Sequence, residues 1–187
     1  MTKNGNRPDP YQKCPVYESE SFLLRLLSTD DAKDLFECYN GDMITSDNNT
    51  EKVFHFSTIE KARECIKSWL REYERRYYTR FAILDKQMGQ VVGTIEIFDY
   101  GEKEIGHSVL RIDILSQYEN EKHLSEILRI ADQFFNDFRC STIVTKAMPE
   151  ATKRINALMR NGYDSFPKSP AWKREHYFIK RSPQNES

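Results

Sequence analysis

The residues able to do chemistry in this chain are scattered, not gathered into a familiar reactive pattern. Cys14, Cys38, Cys65 and Cys140 form no Cys-x-x-Cys pair and have no histidine at metal-ligand spacing. Four reduced thiols and no metal site are therefore expected. His55, His107, His123 and His176 fit no Ser-His-Asp order. No Walker-type or dinucleotide glycine loop is present. Two carboxylates, Glu96 and Asp113, stand inside apolar, strand-like segments. Alternation offers each an ordinary place, Glu96 pointing to solvent and Asp113 paired with Arg111 or a neighbour. Arg71, Arg75, Arg76 and Arg80 gather near the end of one predicted helix. They could attract an anion, or form a solvated face favoured by the helix dipole. Tyr73, Tyr77, Tyr78 and Tyr100 could line a cleft, or serve as amphipathic packing.

The elements that must position these groups follow from periodicity. Residues 22–27 read as a first strand, and Ser28, Thr29, Asp30 and Asp31 offer N-caps for a helix carrying Ala32, Leu35, Phe36 and Tyr39. Asn40 and Gly41 end it. Residues 41–56 read as a long loop centred on Ser46, Asp47, Asn48 and Asn49, a length that often marks function. Ser57-Thr58-Ile59-Glu60 reads as a capping box opening a helix with Ile59, Ala62, Ile66, Trp69, Leu70, Tyr73 and Tyr77 on one face. Residues 81–84 and 91–98 form a hairpin. Residues 105–114 form another strand, with Val109, Arg111 and Asp113 alternating against Leu110, Ile112 and Ile114.

A helix over 117–138 follows, burying Leu124, Ile127, Leu128, Ala131, Phe134, Phe135 and Phe138, and then a strand over 141–145. Pro149 opens a short helix whose inner face is Ala151, Ile155, Leu158 and Met159, and Asn161-Gly162 ends it. Two late strands are expected near 163–166 and 175–180. The order implies a mixed sheet with helices on both faces. Residues 106–114 and 141–146 are predicted as parallel neighbours.

The 187 residues suit one domain: a leader over 1–16, a folded unit over 17–181 and a tail over 182–187. Net charge is -1 with acidic and basic residues intermixed, which argues against a nucleic-acid partner. No apolar run approaches the ~20 residues of a membrane span, and the polar start lacks a secretory signal. A cytoplasmic protein, monomeric or homodimeric, is expected.

The element order resembles the GNAT superfamily of N-acetyltransferases. Phe22-Leu23-Leu24-Arg25 with Ser28-Thr29-Asp30-Asp31-Ala32 is similar to the opening of the branch that acetylates ribosomal-protein N-termini. Val91-Val92-Gly93-Thr94-Ile95, Glu104-Ile105-Gly106-His107 and Asn161-Gly162-Tyr163 resemble later segments of that branch. The resemblance implies the GNAT fold, acetyl-CoA as cosubstrate, no metal, and an amine acceptor on a small molecule or peptide N-terminus. It implies that the pantetheine arm enters where one strand splays from the next, along the backbone of Ile112, Asp113 and Ile114. It implies a diphosphate on residues 119–124, where the family carries Arg/Gln-x-x-Gly-x-Gly/Ala.

This chain instead reads Glu119-Asn120-Glu121-Lys122-His123-Leu124. Side chains at 122 and 124 would crowd a phosphate, and two carboxylates would repel it, while Lys122 and His123 could contact it. Ser116-Gln117-Tyr118-Glu119 also reads as a capping box that starts the helix a turn early. The alternative to an enzyme is therefore a catalytically degenerate binding module on the same scaffold. The resemblance further implies a strand carboxylate as general base, with Glu96, Asp113 and His107 as candidates. The family's acid tyrosine position holds Leu158, and Tyr163 occupies a packing position.

Overall fold

The computed structural model describes residues 8–45, 55–99, 107–166 and 174–183. In chain order the elements are β1 (Tyr17–Glu18), β2 (Phe22–Leu26), α1 (Ala32–Asn40), β3 (Met43–Ile44), α2 (Ile59–Glu74), β4 (Tyr78–Asp85), β5 (Gln90–Asp99) and β6 (Ser108–Leu115). There follow α3 (Glu121–Ala131), α4 (Phe134–Asp137), β7 (Thr142–Lys146), α5 (Thr152–Arg160), β8 (Asp164–Phe166) and β9 (Tyr177–Arg181). The strands form one mixed sheet in the order β1-β2-β4-β5-β6-β7-β9-β8, with β3 against β6. Every pairing is antiparallel except β6 with β7. The predicted mixed sheet, hairpin and parallel neighbours are all present. No described helix is long and apolar enough to cross a membrane.

Alternation along the strands feeds two cores. Phe81, Ile95, Leu110, Ile112 and Ile114 pack with Leu124, Ile127, Leu128 and Phe134 from α3 and α4. Ala82 and Val91 pack on the opposite face with Leu35, Tyr39, Ile66 and Trp69 from α1 and α2. Such burial is worth roughly 1.5–3 kcal/mol per large apolar side chain, which makes the helix periodicity readable in advance.

Several expectations are corrected. The expected 117–138 helix is two pieces, α3 and α4. Its supposed Ser116 cap is a short 3-10 turn, and the Ser116 hydroxyl bonds Asp42 instead. Asn120 caps α3 by accepting from the His123 amide at 3.1 Å. In α2 the cap is Thr58, accepting from Lys61, one residue later than the expected box. Pro149 precedes α5 rather than opening it, and α5 buries Arg154, Ala157 and Leu158 while Met159 is exposed.

Part of the expected leader is packed: the Tyr73 hydroxyl donates to the Pro10 carbonyl at 2.6 Å, and the Tyr11 ring lies against Tyr73. The short β3 falls within the expected loop. That loop's centre, 46–49, lies outside the described residues, as do Glu104, Ile105, Gly106 and Tyr100.

Candidate active site

Strand register builds one buried polar row. Arg80, Glu96 and Arg111 are cross-strand neighbours on β4, β5 and β6, and Ala82, Thr94 and Asp113 form the next row on the same face. Sheet alternation turns all of them toward α1 and α2. Arg80 pairs with Glu96 through its Nη2, and its guanidinium lies 3.9 Å from the Trp69 ring centre. The Tyr39 hydroxyl, on α1, donates to Asp113 Oδ2 at 3.2 Å and lies 3.4 Å from the Thr94 hydroxyl and 3.5 Å from Arg80 Nη1. Arg111 Nε reaches Asp113 Oδ1 at 3.3 Å.

The two rows together therefore carry two cations and two carboxylates. Burial works against the Arg80 charge, but the Glu96 and Asp113 carboxylates outweigh it and hold the group more firmly protonated than a free arginine. Burial, then Asp113, pushes the Tyr39 phenol up, so it remains a hydrogen-bond donor.

Beside this row the sheet opens. β7 pairs with β6 only over Ser108, Val109 and Leu110. β5 fills the other edge of β6, so β3, pairing at Ile114 and Leu115, shares the edge that β7 leaves. Residues 111–113 lie between them. At this gap Arg154 of α5 donates from Nη1 to the Ile112 carbonyl at 2.9 Å. Its Nε and Nη2 grip both oxygens of Glu119, each at 2.7 Å. A second clamp joins the start of α3 to α5: Glu121 meets Arg160 at 2.5 Å and accepts from Asn156 at 2.9 Å.

The structure thus gathers two of the three candidate bases, Glu96 and Asp113, and separates the third. His107 precedes β6 at its far end, roughly 20 Å from Asp113 at ~3.3 Å per residue. Its Nδ1 lies 2.5 Å from the Thr142 hydroxyl and its ring meets Phe166 edge-on. Burial, helped by the Arg181 charge, pushes its pKa down.

Around the expected phosphate loop, Leu124 is buried in the core and Lys122 is exposed. His123 packs edge-on to Phe22 and tilted on Tyr118, with Nδ1 2.9 Å from the Asn120 amide group. Glu119 and Glu121, expected to repel a phosphate, are both paired with α5 cations. Arg80 belongs to β4, not to the α2 helix end, while Arg75 pairs with Glu72 and Arg76 with Asp9. Leu158 and Tyr163 are buried, as packing positions should be.

Sequence reasoning missed Arg154 and the bridging role of Tyr39. Arg154 does sit three and four residues before Ala157 and Leu158, the spacing of one helix face, but its charge argued for the outside.

Comparison with known proteins supplies the frame for this geometry. Residues 21–164 match the family described as the acetyltransferase (GNAT) domain. The chain is 25% identical over 100 residues to the uncharacterized N-acetyltransferase YoaA of Bacillus subtilis, a match spanning 51% of this chain and 55% of that one. Among solved structures, a GNAT-family acetyltransferase from Bacillus anthracis superposes with a TM-score of 0.65 at 18% identity, covering 90% of this chain and 99% of its own. A ribosomal-protein-S5-alanine acetyltransferase from Vibrio fischeri does so with a TM-score of 0.65 at 15% identity, covering 92% and 100%. At these identities the solved structures speak to fold alone.

Proposed function

This chain belongs to the GNAT acetyltransferase family, and from that premise we propose that it transfers an acetyl group from acetyl-CoA to a primary amine, on a small molecule or a peptide N-terminus. The observation that carries this reading is the parting of β6 from β7 after Leu110, directly beside the buried cluster around Asp113. Residues 111–113 form a strand edge that neither β3 nor β7 pairs, which suits an extended polar arm. The backbone at Ile112, Asp113 and Ile114 would hold the pantetheine, and residues 119–124 would lie toward the diphosphate. Bound acetyl-CoA supplies the activated thioester.

The chain's own residues supply placement and proton transfer. Asp113 is the proposed general base for the amine, because it stands on β6 at the gap. Tyr39 and Arg111 fix its two oxygens. Glu96 serves mainly as the counter-charge of Arg80. Such a base contributes typically 10²–10⁴-fold. The peptide N-terminus as acceptor follows the resemblance to the ribosomal-protein branch.

A second reading, a catalytically silent module, is favoured by two observations: Arg154 already occupies the Ile112 carbonyl, and the loop lacks the family's glycines. Calorimetric titration with acetyl-CoA, followed by thiol release with a panel of amines and N-terminal peptides, separates the two. Asp113→Asn should lower kcat at least 100-fold and leave the acetyl-CoA Kd within a factor of about three. Unchanged turnover would remove Asp113 from the chemistry. Tight acetyl-CoA binding with no turnover on any amine would favour the silent module.

A further inference from the structure

Arg154 is held in an unusual way. It projects inward from the first turn of α5, with its side chain only 5% exposed, and its fork closes on a Glu119 carboxylate that is 13% exposed. Its remaining terminal nitrogen caps a strand carbonyl in the gap between β6 and β7. A buried guanidinium requires an anion beside it, since leaving it bare costs several kcal/mol. A guanidinium fork matches a phosphate as well as it matches a carboxylate. Exchanging one anion for the other therefore keeps the buried charge matched.

The two partners differ in how they are anchored. Arg154 rises from a helix whose buried neighbours Ala157 and Leu158 sit in the core. Glu119 sits between a 3-10 turn and the Asn120 cap, in neither helix nor strand. Its backbone amide is held only to Ser116, within that same turn, among the described residues. The backbone at Glu119 can shift with its side chain without unmaking a helix or a strand, whereas a shift of the backbone at Arg154 would disturb α5.

We infer that Arg154 is the residue that grips the diphosphate of acetyl-CoA, with Glu119 holding its place until the cosubstrate displaces it. This rests on the acetyl-CoA reading above. In this chain a side chain from α5 then does part of what a glycine-rich loop does elsewhere, and Glu119 sets how readily the cosubstrate enters.

The test is calorimetric titration of the full chain with acetyl-CoA and, separately, with inorganic pyrophosphate, alongside thermal unfolding. Glu119→Gln should bind acetyl-CoA at least tenfold more tightly, ~1.4 kcal/mol. Without ligand it should melt below the wild type, and acetyl-CoA or pyrophosphate should restore it. Arg154→Gln should bind at least tenfold more weakly, and Arg154→Lys, which keeps the charge but loses the fork, should fall between. Lys also covers the case in which the Gln variant does not fold.

Binding by Arg154→Gln or Arg154→Lys as tight as the wild type would overturn the inference and make the pair a plug. A Glu119→Gln variant that binds no better would overturn it as well. If the wild type binds acetyl-CoA and no variant shifts Kd, this inference alone fails. If neither the wild type nor Glu119→Gln binds, the acetyl-CoA reading fails with it.

Discussion

Among the described residues, two arginine–carboxylate pairs have both side chains largely buried, and they are built on different supports. Arg80 and Glu96 face each other across two hydrogen-bonded strands of a hairpin, and the guanidinium is roofed by Trp69. Neither backbone can move without breaking the sheet. Arg154 and Glu119 join a helix to a loop residue across a gap in the sheet. Their burial is alike, with side chains 8% and 9% exposed in the first pair and 5% and 13% in the second. Burial therefore does not distinguish a structural pair from an exchangeable one; the support of each partner does. Arg80 holds the Tyr39 hydroxyl that bonds Asp113, whereas Arg154 and Glu119 would, on the inference above, govern entry beside them.

The largest effect should come from breaking the fixed pair. Arg80→Met leaves Glu96 buried with no cation on its own row but Arg111, and such breaks cost about 3–5 kcal/mol. For a chain of this size that is a fall in Tm of about 10 °C. Acetyl-CoA should not selectively restore it, whereas it should restore Glu119→Gln. Replacing both members, Arg80→Met with Glu96→Leu, should recover most of the stability, because well-packed apolar residues replace buried pairs at little cost. A Tm for Arg80→Met within 2 °C of the wild type would show that the two pairs are equally dispensable.

A smaller effect is expected where the closed side of β6 is tightest. Gly93 lies opposite Ile114, and a Cβ there would sit 2.3 Å from the Asp113 carbonyl oxygen and 2.9 Å from the Ile114 Cα. Both obstacles are backbone, so β6 must shift toward its open edge. Gly93→Ala should cost about 2 kcal/mol, as overpacked sites do, and should lower turnover by displacing Asp113. Denaturant titration measures the first and thiol release the second. Turnover that holds while stability falls would mean that the open side absorbs the shift without moving Asp113.

The open side was also the harder one to read from sequence. The hairpin, α2 and the β6–β7 pairing were legible because their apolar periods are local. Glu96 and Asp113 were legible as charged residues on apolar strands, though not that both face α1 and α2. The partner of Glu119 was not legible, because it lies 35 residues away in the chain and a charged side chain on a short helix reads as solvated. Met159 was placed inward on apolarity, yet the buried face turns to Arg154 because Glu119 and Ile112 wait there. The two-residue β3 carries no period at all. Long-range polar pairing is what a single-sequence period cannot report.

The smallest effect is expected at Glu126, a buried carboxylate whose hydrogen-bond partners are neutral. Glu126, on α3 one turn and a half beyond the Asn120 cap, accepts from the Ser21 amide at 3.0 Å and from the Ser19 and Ser21 hydroxyls at 3.0 and 3.1 Å. It ties α3 to the start of β2. Burial pushes its pKa up, but these donors, with the Lys122 charge, outweigh burial and hold it below the usual carboxylate range. A depressed folded-state pKa means that the contribution to stability is fully present above the unfolded value of about 4.3. It is lost as pH falls through the lower folded value.

Glu126→Gln keeps the shape and removes the charge, so it should cost about 1–1.5 kcal/mol at pH 7, near the low end for hydrogen bonds to charged groups. The difference in Tm between variant and wild type, about 3–5 °C, should then shrink as the pH is lowered from 5 to 3. A difference that stays constant down to pH 3 would place the contribution in hydrogen-bond geometry rather than charge. Glu126 would then owe nothing to the exchange of charge that distinguishes Glu119.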